Sequence, residues 1–168
     1  MPVRPVVLFP NPVLKRPCDP VDPTDPAVRA VALDLLDTLD SAPGVGIAAP
    51  QIGQPLRIAV VDATRSLRHA ESGQGRFVLF NPEVVSREGE QLFREGCLSI
   101  PDYTGNIRRA ARIRVRALGW EGKPLEVTAE GFEAVVFQHE LDHLDGILFL
   151  DRIANLKTDL FRRKSRRP

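Results

Sequence analysis

Apolar residues recur at helical spacing in two places. Val28, Val31, Ala32, Leu35 and Leu39 fall three and four residues apart, which predicts an amphipathic helix over residues 26–40. Thr24-Asp25-Pro26 supplies its start, a capping side chain followed by a proline in the first turn, and Ser41-Ala42-Pro43-Gly44 breaks it. Phe132, Val135, Val136, His139 and His143 trace a second helical stripe that Gly146 ends. Between the helices the period shortens to two. Ile113, Val115 and Ala117 alternate with Arg112, Arg114 and Arg116, so this strand keeps one face wet and basic. Residues 56–62, 77–79, 83–85 and 125–128 are short branched or apolar runs that read as further strands. Residues 63–75 are polar, end in Gly-Gln-Gly and predict an exposed loop. Eight of the 15 prolines lie in residues 1–26, which predicts extended segments and turns there until the first helix begins. The pattern is that of an α+β protein. Short, mostly antiparallel strands and sheets pack around a central second helix, with the N-terminal amphipathic helix and a basic C-terminal helix beside them.

Composition narrows this picture. A chain of 168 residues is the size of one domain, so residues 1–168 are read as a single catalytic domain with no internal repeat or linker. The 23 basic residues nearly balance the 22 acidic ones, which argues against a globally basic nucleic-acid binder and against specific DNA binding. No run of 18 apolar residues exists to span a membrane. Met1-Pro2-Val3-Arg4-Pro5 has neither the apolar core of a signal peptide nor the composition of a transit segment. Two cysteines, Cys18 and Cys97, fit a reducing cytoplasm in which thiols act as ligands or nucleophiles.

The chemistry concentrates in Gln138-His139-Glu140-Leu141-Asp142-His143. Two histidines four apart on a helix project from one face, about 6 Å apart at Cβ, which suits two ligands of one metal ion. The glutamate between them can take a proton from a water activated by that ion. The histidines share the stripe of Phe132, Val135 and Val136, so the site is a lined cavity. The pattern continues through Gly146, but the third histidine of metzincin proteases would fall at Phe149, and no glutamate follows Glu140. Cys97, Cys18, His69 and an aspartate remain as third ligands. His69 lies in the polar loop and Cys18 among prolines, whereas Gly96 beside Cys97 lets backbone and ligand approach an ion closely. Cys97 is preferred.

Three motifs in order give the chain its resemblance to the peptide deformylase family: Gly44-Val45-Gly46-Ile47-Ala48-Ala49-Pro50-Gln51, Glu95-Gly96-Cys97-Leu98-Ser99 and Gln138-His139-Glu140-Leu141-Asp142-His143. Leu8-Phe9-Pro10-Asn11-Pro12-Val13-Leu14 and Leu148-Phe149-Leu150-Asp151-Arg152 resemble the family as well, so the similarity spans nearly the whole chain. The resemblance implies a hydrolase that removes the N-formyl group, as formate, from the formyl-methionine of newly synthesised proteins. It implies Cys97, His139 and His143 as metal ligands and Glu140 as general base. Gln51 and the backbone N–H of Leu98 would stabilise the oxyanion. The peptide would lie as an added strand against Val45 and Gly46, with Val45, Phe132, Val135 and Val136 lining a methionine pocket. One divalent ion is implied, Fe2+ in the first place, with Zn2+, Ni2+ or Co2+ as substitutes.

Two features depart from, or add to, that pattern. Many bacterial members carry an arginine soon after the cysteine motif, but here none occurs until Arg108; Arg108 and Arg109 are read as solvated charges in preference to partners of Glu95. Lys157, Arg162, Arg163, Lys164, Arg166 and Arg167 make the C-terminal segment basic, which suits docking on ribosomal RNA. The competing readings are a metallopeptidase using the same His-Glu-x-x-His helix and a ribosome-associated binder without activity.

Overall fold

In the computed structural model of the chain, residues 3–163 are described. After an extended start and a 3-10 turn at Pro12–Lys15, helix α1 spans Pro26–Asp40. The Asp25 side chain accepts from the Ala27 N–H and Pro26 occupies the first turn. Strands β1 (Gly46–Ala48), β2 (Ile58–Asp62) and β3 (Arg76–Glu88) follow, then β4 (Gln91–Cys97), β5 (Ile100–Arg109), β6 (Arg112–Leu118) and β7 (Pro124–Glu130). Helix α2 spans Gly131–Leu144. The described chain closes with a single turn, α3 (Leu156–Asp159), and strand β8 (Leu160–Arg162).

The strands form two antiparallel sheets, one ordered β1-β2-β3-β6-β7 and the other β4-β5-β8. Helix α2 covers one face of the first sheet, and α1 covers the other only at β1, β2 and Phe80 of β3. Val28, Ala32, Leu35 and Leu39 of α1 pack on Ile47, Ile58, Val60 and Phe80, while Ala134, Phe137 and Leu141 of α2 pack on Val61, Leu79, Ile113, Val115 and Val127. On β6 the alternation behaves as a period-two pattern requires. Ile113, Val115 and Ala117 are buried, and Arg112, Arg114 and Arg116 face solvent, where they form ion pairs with Glu130, Glu126 and Glu83.

Several expectations need correction. β3 is one strand where the pattern suggested two, because Asn81 adopts a left-handed φ of 50° and bends the strand ahead of Pro82 without ending it. The Asn81 side chain secures that bend by pairing with both the N–H and the C=O of Val21. The β4–β5 hairpin had no strand signal, since charged residues, glycines and Pro101 mask its alternation. Helix α2, by contrast, is buried as the central-helix expectation required. Every residue from Glu133 to Leu144 is buried, because β1 and β2 cover one side and the β4–β5 hairpin the other. The basic C-terminal helix is replaced by the one-turn α3 and by β8, whose Leu160 and Phe161 pair with Gly105 and Thr104 and complete the free edge of β5. Lys164, Arg166 and Arg167 lie outside the described residues. Residues 63–75 contain two 3-10 turns, and His69 packs against Phe93 and Phe132 instead of standing in water.

The C-terminal end of α2 is held by the rest of the chain. The Cys18 N–H donates to the Leu144 carbonyl (2.8 Å), and Gly146, at φ +75°, turns the backbone away past Lys15. Arg57 is the wider clamp: its guanidinium donates to the Leu144 carbonyl (3.2 Å), the Asp145 carboxylate (2.9 Å) and the Pro82 carbonyl (2.9 Å). It thereby ties α2 to the bend of β3. Arg57→Met should lower the free energy of unfolding by about 1–3 kcal/mol, because partly buried carbonyls lose charged donors. Arg57→Lys should lose less but still measurably, since an ammonium cannot reproduce the fork; urea denaturation of the three proteins checks this.

Candidate metal centre

The centre lies where α2 meets β4. Along β4, Phe93, Glu95 and Cys97 turn inward while Leu92, Arg94 and Gly96 turn outward. His139 and His143, one turn apart on α2, meet Cys97 there, and candidate ligand atoms of the three lie within 4.8 Å of one another. The Cys97 Sγ is 3.4 Å from His143 Nε2. His139 Nδ1 is engaged with Glu95 Oε1 at 2.9 Å, which leaves its Nε2 free to face the cluster. One thiolate and two imidazoles fit a tetrahedral divalent ion and leave a fourth position for a reactant. Cys18 is elsewhere, buried among Ala48, Ala59 and Leu144, and burial raises its thiol to about 11. His69 is outside the cluster too.

Glu140 occupies the floor of the site. It is buried, its Oε1 has no hydrogen-bond partner among the described residues, and burial pushes its carboxyl up to about 7. The floor tolerates no extra atom, because a Cβ on Gly46 would fall 2.7 Å from Glu140 Oε2. Gln51 sits in a 3-10 turn, Ala49–Ile52, with its amide oxygen accepting from the Ala48 N–H (3.0 Å). That contact turns Nε2 toward Ser99 Oγ (3.2 Å) and Cys97 Sγ (3.6 Å). A cavity of about 460 Å³ opens over this group, lined by Val45, Gly46, Gln51, Cys97, Leu98, Phe132, Val135, Val136, His139 and Glu140. The structure thus brings Val45, Gly46, Gln51, Cys97, Leu98, Phe132, Val135, Val136, His139 and Glu140 around one cavity, with His143 beside Cys97, and leaves Cys18 and His69 out of the cluster. The cavity runs between β1 and β4, each an outer strand of its sheet.

What the sequence reading missed is the support behind the histidine. Arg109, read as solvated, is buried: its guanidinium holds Glu95 through two bonds of 2.8 Å and Asp142 through one of 2.6 Å. Arg152 closes the far end by binding Asp142 at 2.5 and 2.8 Å. The result is a chain of alternating charge, His139–Glu95–Arg109–Asp142–Arg152. Burial works against the Glu95 carboxylate, but Arg109 and His139 outweigh it and hold its pKa at about 2. Burial also opposes charge on His139, yet Cys97 and Glu95 raise its pKa well above the usual value, whereas burial drives His143 well below it. Arg108 does face solvent, 3.7 Å from Glu90. No local sequence signal marked Arg109, because only the β4–β5 ladder, which starts with Gln91 opposite Arg109, turns alternate residues of both strands inward.

Comparison with known proteins gives the family and the fold. The polypeptide deformylase family matches residues 3–159. The peptide deformylase of Acidobacterium capsulatum is 42% identical over 167 residues, 99% of this chain and 96% of that protein. A crystal structure of a peptide deformylase from Legionella pneumophila superposes with a TM-score of 0.84 at 40% identity, covering 93% of this chain and 89% of that one. A Met-Ala-Ser-bound class I type b peptide deformylase from Acinetobacter baumannii gives 0.85 at 34% identity, covering 90% and 99%. Helices and antiparallel sheets around a group able to bind a metal define the class, a metal-dependent hydrolase. The chain belongs to the polypeptide deformylase family, whose activity is removal of the N-formyl group from nascent peptides.

The Glu95 support makes a measurable prediction. Glu95→Gln removes the carboxylate that orients His139 and leaves Arg109 half-paired in the interior. It should weaken retention of a divalent ion by about 10–100-fold, as loss of a ligand's outer partner does; competition against a chelator checks this.

Proposed function

We propose that Cys97, His139 and His143 hold one divalent ion, Fe2+ in the first place with Zn2+, Ni2+ or Co2+ as substitutes, and that Glu140 is the general base. The observation that carries this reading is the convergence of three donor atoms beside a buried carboxylate with an unpartnered oxygen. When bound, the ion supplies a Lewis acid that activates water at neutral pH against a poorly electrophilic formamide. Glu140 takes the proton of the attacking water and returns it to the amine nitrogen as the C–N bond breaks and formate leaves. A carboxyl group held near neutrality suits both transfers. Gln51 Nε2, its oxygen already committed to Ala48, and the Leu98 N–H donate to the oxyanion.

The peptide adds as a strand in the slot between β1 and β4, with backbone contacts at Val45 and Gly46. Val45, Phe132, Val135 and Val136 form the wall against which the methionine side chain packs. The Met-Ala-Ser ligand of the Acinetobacter baumannii relative supports a site for peptides beginning with methionine. Formylated nascent chains arise at the ribosome, so the protein acts in the cytoplasm. No helix among the described residues is long and apolar enough to cross a membrane. Lys157, Arg162 and Arg163 are exposed on the C-terminal segment, and with Lys164, Arg166 and Arg167 they are proposed to engage ribosomal phosphates.

Two measurements test the reading. Glu140→Gln should keep its metal and lose about 10²–10⁴-fold in turnover of a formyl-methionyl peptide; near-normal turnover would refute Glu140 as the proton carrier. Cys97→Ser should lose metal on anaerobic purification, since a hydroxyl does not ionise as a thiol does, while Cys18→Ser keeps it. Elemental analysis of the two variants decides between the thiols.

A further inference from the structure

Two arginines stand at the mouth of the cavity with no carboxylate partner among the described residues. Arg94 and Arg163 both line it, and neither makes an ion pair among the described residues. Arg94 lies on the outward face of β4, with its guanidinium carbon 3.6 Å from the centroid of the Phe161 ring. Stacking of this kind fixes the plane of the guanidinium and leaves its N–H edge available. Arg163 directly follows β8, anchored by its own N–H to the Asp102 carbonyl at 2.7 Å. Its side chain crosses back over β4 at Gly96, where a Cβ would fall 2.3 Å from Nη2. The missing side chain of Gly96 is what admits it. The two carboxylates that share this cavity are both buried below its rim. Glu95 is bound by Arg109 and His139, and Glu140 lies on the floor. The rim is thus left with two positioned, unneutralised cations, both beside the outer strand along which a peptide would run.

We infer that Arg94 and Arg163 form a carboxylate clamp that selects formyl-methionyl peptides carrying Asp or Glu within the two residues after the methionine. The inference rests on the deformylase reading above and adds a substrate class to it. The planar fork of each guanidinium matches a carboxylate through paired N–H donors, and the two together hold one acidic group more firmly than a neutral one. Neither arginine reaches the reacting atoms. They act on specificity, through binding of the downstream peptide, so the effect falls mainly on KM. The C-terminal carboxylate of a short peptide offers the same chemistry, and amidated peptides remove that source.

The test compares kcat/KM of the metal-loaded full chain on formyl-Met-Ala-Ala-amide, formyl-Met-Glu-Ala-amide and formyl-Met-Ala-Glu-amide. The better acidic peptide should be favoured by about three- to tenfold at low salt, the range expected of exposed charge-assisted contacts. The preference should shrink as salt is raised to about 0.5 M, where screening shortens to a few ångströms. In the double variant Arg94→Gln/Arg163→Gln the ratio should fall to about one, and Arg163→Lys should keep part of it. Circular dichroism and metal content report whether each variant is folded and loaded. Equal rates on all three peptides in the unaltered protein, or a preference that survives the double variant, would overturn the clamp. Calorimetric binding of unformylated Met-Glu-Ala-amide against Met-Ala-Ala-amide needs no turnover: equal affinities strike the clamp, whereas failure to hydrolyse any formylated peptide strikes the deformylase reading.

Discussion

Arg109 is the constraint on which the rest of the site depends. It brings one positive charge into the interior between Glu95 of β4 and Asp142 of α2, and so fastens the three-stranded sheet to the helix that carries both histidines. Removing one member of such a buried pair typically costs about 3–5 kcal/mol, because the other charge is left without compensation. Here that cost has a geometric meaning. Glu95 holds the His139 ring through Nδ1 and keeps Nε2 directed at Cys97 and His143, so the ion pairs that join the smaller sheet to α2 also aim a proposed ligand. The last link, Arg152, reaches the surface, where water helps to satisfy it.

This arrangement explains why a helix with so many polar residues can be buried on all sides. Gln138 pairs with both the N–H and the C=O of Ala110, Glu133 accepts from Gln74, and Asp142 is held by two arginines. Each polar group that would oppose burial finds a partner on a flanking strand or loop. The exceptions fall at the proposed site. Glu140 Oε1 and His143 Nδ1 are buried without a hydrogen-bond partner among the described residues, and a polar group left so is kept where reactivity requires it.

The two-sheet architecture sets the shape of the cavity. β1 and β4 end their respective sheets, and the cavity opens between them, so a peptide can pair with backbone there while its side chains meet the walls. β8 closes the opposite edge of the smaller sheet and in doing so delivers Arg163 to the cavity mouth. One short strand thus protects an exposed edge and changes the charge of the entrance.

The sequence by itself determined the elements that have a period and the residues that have a spacing. Helix α1, the alternating β6 and the His139–Glu140–His143 group were legible because each is a local pattern, set by 3.6 or 2 residues per repeat. Cys97 was reachable by eliminating the other donors. The tertiary structure decided what depends on partners distant in the chain. Burial of Arg109 required the β4–β5 register, continuity of β3 required Val21 to satisfy Asn81, and the C-terminal segment became a strand because β5 offered it an unpaired edge. Local spacing fixes which side of an element a residue occupies. Whether that side meets water, a carboxylate or another strand is settled only by what packs against it, and for Arg109, Glu95 and Asp142 the packing comes from segments 14 and 33 residues away.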